Sequence, residues 1–255
     1  MKDIDIKWLE EPGELNDPIL IEGLPGVGNV GKLAADHLIE ELDAEQVAEI
    51  HSPHFPPQVL MHENGTVRLV NNEVHVWENP DGGRDLVILI GDYQGLTGEG
   101  QYALANAILD IMDELSVGRF YTLGGYGTGQ ILDEARVLGA ATHEPLVEEM
   151  KEHGVVFSKD EPGGGIVGAS GLLLGLGKSR DIEGICLMGE TSGYLVDPRS
   201  ARALLEVLAE IFEMEIDFSD LEDRAQQMDK LTQQLRDIES QAGSPGEEGD
   251  LQYIG

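Results

Sequence analysis

A chain of 255 residues, 41% of them apolar, holds enough hydrophobic material for one large α/β domain, or for such a domain with an appendage. Its 16 Lys and Arg stand against 49 Asp and Glu, a formal charge of −33 spread along the whole length. This excludes nucleic acid and anionic membrane as partners, because no basic stripe can neutralise phosphates, and it points to a salt-accumulating halophile, where a Debye length of ~3 Å at molar salt screens the self-repulsion.

The polar residues Met1 to Asp17, anchored by Trp8 and Leu9, predict a short lead-in strand or arm. Pro18 to Leu33 then reads P-I-L-I-E-G-L-P-G-V-G-N-V-G-K-L: an apolar strand, a glycine-rich turn and a helix start, the opening unit of an α/β sheet. The helix continues to Leu42, with Leu33, Ala34, His37 and Leu38 on its apolar stripe. The turn fits two nucleotide signatures at once. Gly26, Gly28 and Gly31 spell G-x-G-x-x-G, while Gly26, Gly31 and Lys32 spell G-x-x-x-x-G-K. A phosphate loop needs Ser or Thr after the lysine to hold magnesium, and Leu33 stands there. A dinucleotide loop needs an acid about 20 residues on to hold the ribose. Glu45 and Glu49 are near, in a chain where acids are near everywhere. A third reading is structural: the glycines allow positive φ and close packing of helix on sheet.

From Val47 to Glu78 four short runs, V-A-E-I-H, Q-V-L-M-H, T-V-R-L-V and E-V-H-V-W, with turn signals at Asn64-Gly65 and Asn71-Asn72, predict an antiparallel meander. His51 and His54 lie between the first two runs at i, i+3, in a proline-extended loop without the further ligands of a metal site. Arg84 to Gly91 reads as a buried parallel strand, and Gly98 to Leu115 as a helix with Tyr102, Leu104, Ala105, Ile108, Leu109, Met112 and Leu115 on its apolar face. A strand from Arg119 to Leu123 precedes a glycine loop, Gly124 to Gly129, and a helix follows near Glu144 to His153. The glycine-dense stretch from Gly163 leads into L-L-L-G-L, and is too short and broken to span a bilayer. The strand Ile185 to Gly189 contains the only cysteine, Cys186, a small core residue without a disulfide partner. Asp197 and Pro198 then open a helix through Phe212. With no apolar signal segment at the start, a cytoplasmic location is expected.

The alternation of strands and helices predicts a single α/β domain over residues 1–217, its mixed, largely parallel sheet flanked by helices. Loops at the carboxyl ends of such strands gather on one edge as a crevice. Here Gly26, Gly28, Asn29, Asp92, Gln94, Tyr126, Thr128, Glu190 and Thr191 would line it. Residues 218–242 predict a polar C-terminal helix, opened by a Ser219–Glu222 capping box. Its seam of Met228, Leu231, Leu235, Ile238 and Ala242 must pack on its own body or on a sister subunit, so a homo-oligomer is expected. Residues 243–255 have the composition of a flexible acidic tail with an apolar tip, Leu251, Tyr253, Ile254 and Gly255, built like a docking peptide.

Four motifs in order, G-L-P-G-V-G-N-V-G at Gly23 to Gly31, G-D-Y-Q at Gly91 to Gln94, G-G-Y-G-T-G at Gly124 to Gly129 and C-L-M-G-E-T at Cys186 to Thr191, resemble the archaeal branch of the proteasome assembly chaperone family over about Pro18 to Phe212. The resemblance implies an architecture related to nucleoside phosphorylases, and a non-catalytic chaperone or adaptor for proteasome core α-subunits that needs no cofactor or metal. Some members of the family dock through a terminal hydrophobic-tyrosine-any-residue motif. Here Tyr253 is third from the end and follows Gln252, a departure from that pattern. The rival reading is a phosphorylase-like or hydrolase-like enzyme that takes a nucleoside or nucleotide in the glycine-lined crevice. Against it, the edge offers Asp92, Glu190, Thr128, Thr191 and Ser192 but no arginine cluster and no Ser-His or Cys-His arrangement, with Arg119 and Arg136 isolated.

Overall fold

A computed structural model describes residues 3–130, 134–158, 165–228 and 230. In chain order the elements are β1 (Asp5–Trp8), β2 (Ile19–Gly23), α1 (Val30–Leu42), β3 (Glu45–His51), β4 (Val59–Met61), β5 (Val67–Leu69), β6 (Asn72–Trp77) and β7 (Leu86–Gly91). There follow α2 (Gly98–Glu114), β8 (Arg119–Gly127), β9 (Val137–Ala141), α3 (Glu144–Glu152), α4 (Ala169–Ser179), β10 (Glu183–Thr191) and α5 (Pro198–Phe212). Eight strands form one mixed sheet in the order β1-β3-β6-β7-β2-β8-β10-β9. Its four central strands, β7, β2, β8 and β10, run parallel, and antiparallel strands extend it on both sides.

The central strands are apolar on both faces because helices cover both. Ile19 and Ile21 of β2 join a core with α1, α3 and α5, while Leu20, one residue out of phase, joins the opposite core with α2 and α4. The helix starts follow local chemistry. Thr97 caps α2 by accepting from Gly100 N at 3.1 Å, and Asp197 caps α5 by accepting from Ser200 N at 3.1 Å.

The structure corrects several boundaries. The four runs after Val47 do not make one meander: β3 pairs directly with β6, and β4 and β5 form a separate two-stranded hairpin. Asn71-Asn72 is no turn, since Asn72 is buried at the start of β6 opposite Ile50. The glycines from Gly124 to Gly127 continue β8 in parallel register with β10 as far as Thr191. Tyr102 faces solvent, not the core. His37 is buried, and its Nε2 lies 2.7 Å from Asp217 O, which ties the segment after α5 to α1. Residues 219–228 are helical, with Leu221 packed into the core of the body and Ala225 buried. Leu231, Leu235, Ile238, Ala242 and the tip Leu251–Gly255 lie outside the described residues.

Candidate functional site

The loop after β2 is shaped by close backbone contacts. At Gly31 a Cβ would lie 2.6 Å from the Leu123 carbonyl carbon, and at Gly125 it would lie 3.0 Å from that of Val27. Glycine is required at both places because α1 and its leading turn sit directly on β8. Gly28 has φ +62°, and a Cβ there would meet Thr191 Oγ1 at 2.8 Å. Asn29 adopts φ +53°, a left-handed conformation that asparagine tolerates. Gly26 is extended, and a Cβ there would have only the Leu24 carbonyl oxygen near it, at 4.0 Å. Lys32 points along its own helix to an ion pair with Asp36, not into the turn.

The polar residues expected to line a crevice are engaged in holding the edge together. Arg68 grips Asp92 through two nitrogens at 2.6 and 2.8 Å, and Asn71 N donates to the same carboxylate at 3.0 Å. Burial alone would raise the Asp92 carboxyl, but these donors more than offset it and hold it below the usual carboxylate range. Arg136 binds both oxygens of Glu190 and keeps its carboxyl low against the opposing effect of burial. Gln94 spans two loops: its Nε2 donates to Pro25 O at 2.8 Å, and its Oε1 accepts from Ala169 N at 3.0 Å. Thr128 N donates to Thr191 O at 2.8 Å, and Asp197 N donates to Gly28 O at 2.9 Å. Tyr126 is half-buried against Leu138, Cys186 and Met188.

Three features escaped the sequence reading. Arg68 and Arg136 reach this edge from distant segments. Glu22, in the middle of an apolar strand, is fully buried. Leu24 N and Ser170 Oγ donate to its carboxyl at 3.1 Å each. Desolvation raises its pKa to about 7 in spite of them. The third is the outer surface. Val27, Leu195 and Val196 are exposed there, and Tyr194 is 81% exposed. The side chain of Val27 sits against Gly127 and Gly193, and the Tyr194 hydroxyl lies over Gly129. The run Y-L-V in a loop between a strand and a capped helix was the available signal. The edge therefore presents an apolar platform over satisfied polar ties, a surface suited to another protein.

Residues 20–236 match the PAC2 family. The chain belongs to the PAC2 family. This agrees with the family that its loop motifs resemble. It is 42% identical over 247 residues to an uncharacterized protein of Methanocaldococcus jannaschii, covering 94% of this chain and 93% of that one. Among solved structures it is similar to Pyrococcus furiosus PbaB, an archaeal proteasome activator, with 44% identity and a TM-score of 0.88 over 92% of this chain and 100% of that chain. It is also similar to PbaA of the same organism, an archaeal homolog of proteasome-assembly chaperone, with 27% identity and a TM-score of 0.75 over 94% of each chain. Within this PAC2 fold no described helix is long and apolar enough to cross a membrane.

Proposed function

We propose that the protein is a non-catalytic assembly chaperone or adaptor that binds the α-subunits of the proteasome core through the carboxyl edge of its sheet, and that it self-associates. The observation that carries this reading is the platform of Val27, Tyr194, Leu195 and Val196, set above carboxylates already bound by arginines, in a chain similar to a proteasome activator. The tip Leu251–Gly255 is a second contact in this reading. The test is affinity capture of recombinant proteasome α-subunits at molar salt. Tyr194→Ala removes a large ring that touches little of its own body, so the melting temperature stays within error of the parent while capture weakens by about 10-fold or more. Removing 251–255 weakens capture without moving the melting temperature. Capture undiminished in both variants would sink the proposal.

The charge supports a cytoplasm of high salt as the working environment. With −33 per chain, the unfolding midpoint rises by several degrees between low and molar potassium chloride, because screening removes repulsion from the folded state and each kcal/mol is worth about 2–4 °C in a domain of this size. A calorimetric midpoint indifferent to salt would contradict it.

A further inference from the structure

A second apolar surface lies on the hairpin that stands apart from the main sheet. Its strands pair Val59 with Leu69, Leu60 with Arg68 and Met61 with Val67, so Leu60 and Arg68 share one face and the other four residues share the opposite one. The first face is used: Leu60 packs on the core, and Arg68 binds Asp92 and Asn71. The second is bare, with Val59, Met61, Val67 and Leu69 exposed by 52%, 79%, 59% and 53%. A two-stranded ribbon is marginal in water, and a cross-strand block of four apolar side chains on its open face calls for a cover. Beside it opens a cavity of about 600 Å³, walled by Pro53, Phe55, Pro56 and Val70, with Val59 and Leu69 at the hairpin side.

Charge argues for the occupant. Residues 51–72 contain one carboxylate, Glu63, and one arginine, Arg68, in a chain with 49 acids. Two copies, each at −33, repel wherever their carboxylates meet, whereas an approach through this segment brings apolar surface to apolar surface. The surface is also its own complement. Met61 is an unbranched, adaptable side chain on the protruding ribbon, next to a cavity roomy enough to receive it, and a two-fold contact places each copy's ribbon against the other's cavity. Four side chains fall short of the ~800 Å² per partner of a stable interface, and the cavity walls extend the patch toward it.

We propose that the outer face of β4 and β5, with the adjoining proline-walled cavity, is an isologous interface between two copies of this chain. The proposal rests on the self-association read above and assigns it to a surface other than the C-terminal helix seam. The experiment is analytical ultracentrifugation of the full chain in molar potassium chloride, comparing the parent with the double variant Met61→Asp, Val67→Glu. Both positions are exposed, so circular dichroism and the melting temperature stay close to the parent. Four buried carboxylates at one two-fold contact then weaken association by ~100-fold or more, and the smaller species dominates. A parent that associates while the folded variant associates equally overturns the hairpin interface and leaves self-association standing. A parent that sediments as a monomer up to high micromolar concentration overturns both. Loss of α-subunit capture in the variant with no change in its mass would assign the face to a different protein and overturn the proposal as well. A single Val59→Lys variant, on the same face with the opposite charge, guards against a local effect of added acid and must show the same dissociation.

Discussion

Gly31→Ala unfolds the domain or costs it more than the ~1–3 kcal/mol usual for overpacking. The new methyl would sit 2.6 Å from the Leu123 carbonyl carbon and 3.2 Å from Gly124 N, and these are backbone atoms of a central strand, not the movable end of a side chain. Relief requires α1 to lift from β8, and that separates Val30, Ala34 and Leu38 from a core they share with Tyr121 and Leu123. The neighbouring glycines grade the effect. Gly28→Ala meets side-chain ends, the Thr191 hydroxyl and methyl at 2.8 and 3.1 Å and a Val30 methyl at 3.2 Å, and must keep φ near +62°, a backbone cost of about 1–2 kcal/mol. Gly26→Ala meets only the Leu24 carbonyl oxygen, at an ordinary 4.0 Å, and stays near parental stability. Denaturant titration of the three variants checks the order. A nucleotide-binding loop would make the middle glycine the most sensitive through lost ligand, so equal stability of the Gly31 and Gly26 variants would refute the packing account.

That gradient also shows where the sequence was legible. Continuous apolar runs revealed β2, β7 and the start of β8, because a strand covered on both faces leaves no room for alternation. Asp197-Pro198 revealed α5 because capping chemistry is local. The helix α4 was hidden: Gly171, Gly175 and Gly177 depress helix propensity, yet at Gly177 any side chain would strike the Phe120 ring, so packing overrode propensity. The same blindness ended β8 and β10 too early, since glycines that admit the Val27 backbone at Gly125 and Ser200 at Gly189 look like a loop when read alone. At the site, the sequence grouped loops that the structure ties to one another by hydrogen bonds but could not say what each polar side chain does there. Asp92 and Glu190 bind arginines 24 and 54 positions away, a pairing that no local spacing encodes. The exposed platform was missed for the opposite reason: Val27 and Leu195 look like core residues until the fold places them at the surface among the described residues.

Glu22→Gln stabilises the protein above neutral pH, and the gain depends on pH in a way that identifies its cause. The carboxyl is buried on a central strand beside Ser170, with its pKa raised by desolvation to about 7 against 4.5 for an unburied glutamate. Below about pH 4.5 the group is protonated in both the folded and the unfolded chain and costs nothing. Between about 4.5 and 7 the unfolded chain releases its proton while the folded one retains it, so stability falls as pH rises. Above 7 the loss levels off, at about 3 kcal/mol for a difference of this size. Glutamine keeps the shape, and its carbonyl can still accept from Leu24 N while its amide donates to Ser170 Oγ, so the two hydrogen bonds survive without a charge to desolvate. Parent and variant therefore have similar unfolding free energies at pH 4.5 and diverge through neutrality, the variant ending up to ~3 kcal/mol more stable at pH 8. Chemical denaturation of both proteins at the same molar potassium chloride isolates the effect, because the 48 other acidic residues titrate alike in each and cancel in the difference. A difference that stays flat from pH 4.5 to 8 would mean that Glu22 is ionised in the fold, held by a partner stronger than a serine hydroxyl and one backbone N–H.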